Sequence, residues 1–99
     1  MPSTYLLSPR AEADLAEIWT YTAREWSAEQ AEHDTNDIIN VFEEISEGRR
    51  TDATADVREG YRKVFVGRHT IYFKLQGEFV AIIRVLHQSM DVERHLSSR

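Results

Sequence analysis

Four histidines and a cluster of arginines and lysines are the residues of this 99-residue chain that invite a chemical role. His33, His69, His87 and His95 could bind a metal or move a proton. None stands at a ligand spacing such as His-x-x-x-His, and the carboxylates near them are no better arranged, so no metal site is expected. His87 could act as a general acid or base, although a histidine at a strand end more often bonds a backbone carbonyl. Ser8, Ser27 and Ser46 lack any surrounding nucleophile signature and read as helix caps or exposed hydroxyls. Gly48, Gly60, Gly67 and Gly77 are scattered at turns, so there is no glycine-rich phosphate loop. With no cysteine, thiol catalysis, disulfides and zinc–thiolate centres are ruled out. These exclusions leave no catalytic residue and no cofactor to assign.

The basic set Arg49, Arg50, Arg58, Arg62, Lys63, Arg68, Lys74 and Arg84 is the strongest functional candidate, with Tyr61 and Tyr72 as neighbouring aromatics. Three readings stay open: a solvated sheet edge, a protein-binding patch, or a nucleic-acid surface with stacking platforms. Charge distribution bears on the choice. Residues 1–47 hold eleven acids against Arg10 and Arg24, a balance of −9, and the rest of the chain is +4, for a net −5. The field of the acidic half weakens any approach to a polyanion, so direct nucleic-acid binding is not expected.

Positioning these residues requires an ordinary single domain, since a chain this long builds one core. Trp19, Trp26, Phe42, Phe65, Phe73 and Phe79 are its expected bulky core material. No apolar run approaches the roughly 20 residues that span a bilayer, and the Met1-Pro2-Ser3-Thr4 start lacks the pattern of a signal peptide. A soluble, cytoplasmic protein with no membrane partner is the expectation. There is no internal repeat, linker or low-complexity stretch.

Residues 4–7 read as a strand. Ser8-Pro9 then opens a helix over 9–25, with serine able to cap the free amides and proline where no donor is missed. Leu15, Ile18, Trp19 and Thr22 form its apolar stripe. Ser27-Ala28-Glu29-Gln30 has the form of a capping box, and Ala31, Thr35, Ile38, Phe42 and Ile45 carry a second amphipathic helix over 28–47. The link between the two permits only an antiparallel helical hairpin. Residues 48–59 follow neither period and read as a loop. Strands are expected at 61–66, 69–75 and 79–87, joined by Gly67-Arg68 and by Gln76-Gly77-Glu78, with 88–99 as a C-terminal segment. The predicted architecture is α+β: an N-terminal strand and a helical hairpin packed on one face of an antiparallel sheet.

Alternation divides the sheet into two faces. Ile71, Phe73 and Leu75 should meet the helices, with Thr70, Tyr72 and Lys74 on the other side. In the last strand Phe79, Ile83 and Val85 are assigned to the helices, leaving Val80, Ile82 and Leu86 facing outward around Arg84. An apolar floor with Tyr72 and a base from Arg62 or Lys63 is what a protein-binding groove needs. Either an external partner or the chain's own C-terminal segment or dimer mate could cover it.

Three segments resemble the ParE branch of the RelE/ParE toxins: Leu7-Ser8-Pro9-Arg10-Ala11-Glu12-Ala13-Asp14-Leu15-Ala16-Glu17-Ile18-Trp19, then Val57-Arg58-Glu59-Gly60-Tyr61-Arg62-Lys63, then Arg84-Val85-Leu86-His87-Gln88-Ser89-Met90-Asp91. Gly67-Arg68-His69-Thr70-Ile71-Tyr72-Phe73 is similar to that family's middle hairpin, so the resemblance runs over nearly the whole chain. It implies the same architecture and the toxin component of a type II toxin–antitoxin system. Such a toxin arrests growth by inhibiting DNA gyrase through protein binding and is neutralised by a ParD-type antitoxin in a hetero-oligomer.

The RelE branch instead cleaves mRNA on the ribosome. Where those ribonucleases tend to place an arginine in the middle hairpin, this chain has Thr70, and after the last strand it lacks their basic stretch leading to an aromatic. Arg62, Arg84 and His87 remain as candidates for that alternative chemistry, which needs them to converge. A non-toxic interaction module on the same fold is the other alternative. The expected partner-binding residues are Arg58, Arg62, Arg68, Tyr72, Arg84, His87 and Met90. Leu15, Trp19, Ile38 and Phe42 are expected on the antitoxin-facing side of the helical hairpin.

Overall fold

The computed structural model describes residues 4–50, 53–54 and 59–87. It contains β1 (Thr4–Leu7), α1 (Pro9–Glu25), α2 (Ala28–Ser46), β2 (Ala53–Thr54), β3 (Arg62–Val66), β4 (His69–Gln76) and β5 (Phe79–His87). The helices begin where local chemistry permits. Ser8 Oγ accepts from the Ala11 amide at 3.0 Å with Pro9 in the first turn, and Ser27 Oγ accepts from the Gln30 amide at 3.0 Å. The capping box at Ser27 is only half made, because the Gln30 side chain turns forward to donate to Asp34 at 2.8 Å.

The five strands lie in the order β1-β5-β4-β3-β2. The two hairpins are antiparallel and turn on Gly67 and Gly77, each with φ 59° as first of two loop residues. That left-handed conformation at the first position suits the primed turns that match strand twist. The expected all-antiparallel sheet is corrected at its edge, where β1 pairs parallel to β5, with Thr4 opposite Phe79 and Leu7 opposite Ile82. The sheet is therefore mixed. Hydrophobic alternation reports which face a side chain takes, not which way its strand runs, so this was not legible from pattern. The expected loop at 48–59 also contains β2, a two-residue strand antiparallel to β3.

One core lies between the helices and the sheet. Ala11, Ile38, Val41, Phe42 and Ile45 from the helices meet Val64, Ile71, Phe73, Val80, Ile82 and Val85, and the Tyr5 and Phe42 rings approach to 5.3 Å. Two expectations for side-chain placement fail. Trp19, Trp26 and Phe65 are exposed, so of the six large aromatics only Phe42 and Phe73 are fully buried. Val80 and Ile82 face the helices, whereas Ile83 packs with Tyr61, Tyr72 and Leu86 on the opposite face. The cause is a β-bulge: Tyr72 pairs with Arg84 while Phe73 pairs with Ile82, which inserts one residue and inverts the alternation before it.

Candidate partner-binding cleft

The edge of β5 explains how the helices are fixed to the sheet. β1 stops at Leu7, leaving β5 backbone groups beyond Ile82 in need of partners. The Ser8 amide donates to the Ile82 carbonyl at 3.0 Å, and Ser8 Oγ donates to the Ile83 carbonyl at 2.7 Å. Two turns along α1, Asp14 Oδ2 accepts from the Val85 amide at 2.9 Å. The same carboxylate is gripped by Arg84, from Nε at 2.8 Å and Nη2 at 2.9 Å. The two side chains are 10% and 11% exposed, making this a largely buried, two-point pair. The hydrogen bond to Asp14 raises the Arg84 pKa further, against the opposing effect of burial.

Beside this anchor an open cleft of about 790 Å³ runs between the tip of the helical hairpin and the far end of β4 and β5. One wall is aromatic. Tyr21, from the last turns of α1, is 62% exposed, and Trp26, the residue that closes α1, is 77% exposed. The Trp26 amide donates to the Thr22 carbonyl at 2.8 Å, which holds the indole's backbone in place. The turn before β4 and the ends of the two strands contribute Arg68, His69 and His87 to the lining. His69 and His87 are cross-strand partners whose rings meet edge to face at 5.5 Å. Burial first, then the positive charge that His87 can carry, lowers the His69 pKa from 6.5, partly offset by Asp34 on α2.

The residues expected to bind a partner are dispersed by this arrangement. Arg68 and His87 line the cleft, and Arg84 supports it through Asp14. Tyr72 is buried in the small cluster on the other face, so the open face expected around Tyr72 and Arg84 is replaced by a packed tyrosine and an arginine tied to α1. Arg62 lies opposite Phe73, whereas His87 lies opposite His69, itself opposite Val66. Four residues of strand therefore separate their positions along the sheet, roughly 13 Å at about 3.3 Å per residue. Arg62, Arg84 and His87 do not converge. Arg58 and Met90 lie outside the described residues.

On the helical hairpin, Ile38 and Phe42 are 1% and 0% exposed and belong to the core, so no partner can bury them further. Leu15 packs partly against the same core. Trp19 is exposed but is not among the residues lining the cleft. The aromatic wall of Tyr21 and Trp26 was missed, since Trp26 looked like core material and Tyr21 lay off the apolar stripe. The available signal was the position of Trp26 at the junction of two helices, where no third element follows to cover it. Among the described residues, no group of three or more histidines, cysteines or carboxylates is placed to hold a metal ion, and no helix is long and apolar enough to cross a membrane.

The geometry defines a small α+β domain with an open cleft bordered by two exposed aromatics. The chain belongs to the ParE toxin family of type II toxin–antitoxin systems (parDE), whose family model matches residues 5–92. It is 41% identical over 98 residues to Toxin ParE1 of Mycobacterium tuberculosis H37Rv, covering 97% of this chain and 100% of that protein. It is likewise 41% identical over 93 residues to Toxin ParE1 of Caulobacter vibrioides, covering 93% of this chain and 96% of the relative. In fold it is similar to a chain of the chromosomal ParDE system of P. aeruginosa, with a TM-score of 0.76, 17% identity and coverage of 85% and 94% of the two chains. A chain of the RelBE2 toxin–antitoxin complex of M. tuberculosis is also similar, with a TM-score of 0.58, 19% identity and coverage of 88% and 99%.

Proposed function

We propose that this type II toxin inhibits DNA gyrase by binding it rather than by a chemical step, and that a ParD-type antitoxin silences it by seating a segment in the cleft beside Trp26. The observation that carries the toxin reading is membership of the ParE family across residues 5–92. Gyrase as the target follows from what that family is understood to do, and the antitoxin from the toxin–antitoxin systems to which its relatives belong. The cleft supports the antitoxin's seat on independent grounds: two large exposed aromatics beside charged groups are the composition of an interface core and its rim. A disordered antitoxin tail can order itself along such a surface, with the cost of ordering met from the contacts it makes.

Absence of chemistry is supported by the separation of Arg62, Arg84 and His87. Phosphodiester cleavage needs groups converging on one phosphate, and Arg84 is held by Asp14 instead. A gyrase supercoiling assay tests the reading. Purified toxin should inhibit supercoiling at a ratio near one toxin per enzyme site, and added antitoxin should restore it. Full supercoiling at saturating toxin, together with mRNA cleavage on ribosomes, would overturn the proposal in favour of a ribonuclease.

A further inference from the structure

We infer that His69, packed against His87, makes the grip of this cleft on its partner proton-sensitive, with a seated segment held when the His69 imidazole is neutral and loosened when it is protonated. The inference rests on the preceding reading of the cleft as the antitoxin's seat. Its own basis is geometric. The two rings are cross-strand neighbours 5.5 Å apart where β4 begins and β5 ends, and both line the cleft that Tyr21 and Trp26 also line.

The charged groups that line the cleft together with the pair, among the described residues, come from α1, α2 and the turn before β4. From α1 come Glu17 and Arg24, along with Asp14, which is engaged by Arg84. From α2 comes Asp34, which accepts a hydrogen bond from Gln30 and lies 3.6 Å from the exposed His33. From the turn before β4 comes Arg68. Asp34 favours a proton on His69; burial and the second imidazole disfavour it, and together they outweigh Asp34 in the free protein.

A seated segment takes the remaining water from the rings and lowers the effective dielectric between them. Both changes penalise the imidazolium further. Linkage then fixes the sign. If binding lowers the histidine pKa, protonation must weaken binding by the same factor. Affinity is complete above the free-state pKa and declines as pH falls through it, levelling off below the bound-state pKa. For one proton the slope is at most about tenfold in affinity per pH unit within that window.

The test is titration of the full-length toxin with its co-encoded full-length antitoxin at about pH 7.5, 6.5 and 5.5, followed by calorimetry or by the fluorescence of Trp26 and Trp19. Wild-type affinity should stay nearly level between about pH 7.5 and 6.5 and weaken by less than tenfold from there to pH 5.5, because the free His69 pKa lies below 6.5, and His69→Gln should lose most of the slope. The slope is the readout, because the substitution alters the cleft wall and will change the affinity itself. A second measurement covers a variant that fails to fold: NMR titration of the His69 ring protons in the wild-type toxin, free and bound. The His69 pKa should fall on binding. A pH-independent wild-type affinity, an unaltered slope in His69→Gln, or a His69 pKa that stays or rises on binding would overturn the inference while leaving the cleft as the antitoxin's seat. Absence of binding at every pH would overturn the seat and the inference together.

Discussion

Asp14 is the single side chain on which most of the site geometry depends. Its carboxylate ends the exposed edge of β5 and neutralises Arg84 in one place. Asp14→Ala should lower unfolding free energy by about 3 kcal/mol, because a largely buried guanidinium and the Val85 amide both lose their partner. Replacing both members, Asp14→Leu with Arg84→Met, should recover much of that loss, since the penalty comes from the stranded charge more than from the pair. Urea unfolding of the two variants beside the wild type measures this directly. His69 gives a second expectation at this scale. Its folded pKa lies below the unfolded value of 6.5, so the folded state resists taking up that proton. Stability should be complete above about pH 6.5 and fall as the pH drops below it, and His69→Gln should flatten that part of the stability profile. Arg84 and His87 stood out in sequence by type, but their roles did not. The carboxylate that holds Arg84 sits on another element 70 residues away, a distance across which no local pattern reaches.

At the level of elements, most of the framework was legible and the errors share a cause. The span of α1 and the start of α2 follow from Ser8, Pro9 and Ser27, whose effects are local. The strands of the meander follow from alternation and from glycines that the turns require. What failed depends on partners distant in the chain: the parallel pairing of β1 with β5, and the bulge at Ile82–Arg84 that moves Ile83 to the opposite face. The bulge also accounts for the exchanged faces of Val80, Ile82 and Ile83, since a one-residue shift moves every side chain before it to the other face of the sheet. Ser8 joins these elements, capping α1 through one hydrogen bond and holding β5 through another. Ser8→Ala should therefore cost about 2 kcal/mol, at the upper end for an N-cap, while Ser27→Ala, whose cap is exposed, should cost about 1 kcal/mol or less. Thermal unfolding of the two variants gives the comparison.

Over the whole molecule, a hydrophobic core and an acidic helical half position a cleft whose wall is aromatic and imidazole-bearing. The family and fold were legible because their motifs run through the chain; the cleft was not, because it is assembled from the hairpin tip and the far ends of two strands. Large apolar side chains in sequence look alike whether they fill a core or await a partner, and only the packing separates Phe42 from Trp26. The central claim, that this cleft is where the antitoxin silences the toxin, is tested most directly by the affinity of Tyr21→Ala/Trp26→Ala toxin for its antitoxin, measured by calorimetry. Both residues are exposed, so the fold should survive, and loss of two aromatic anchors should weaken binding by at least about 2 kcal/mol, some thirtyfold. Wild-type affinity in a folded double variant would contradict the claim and move the antitoxin to another surface.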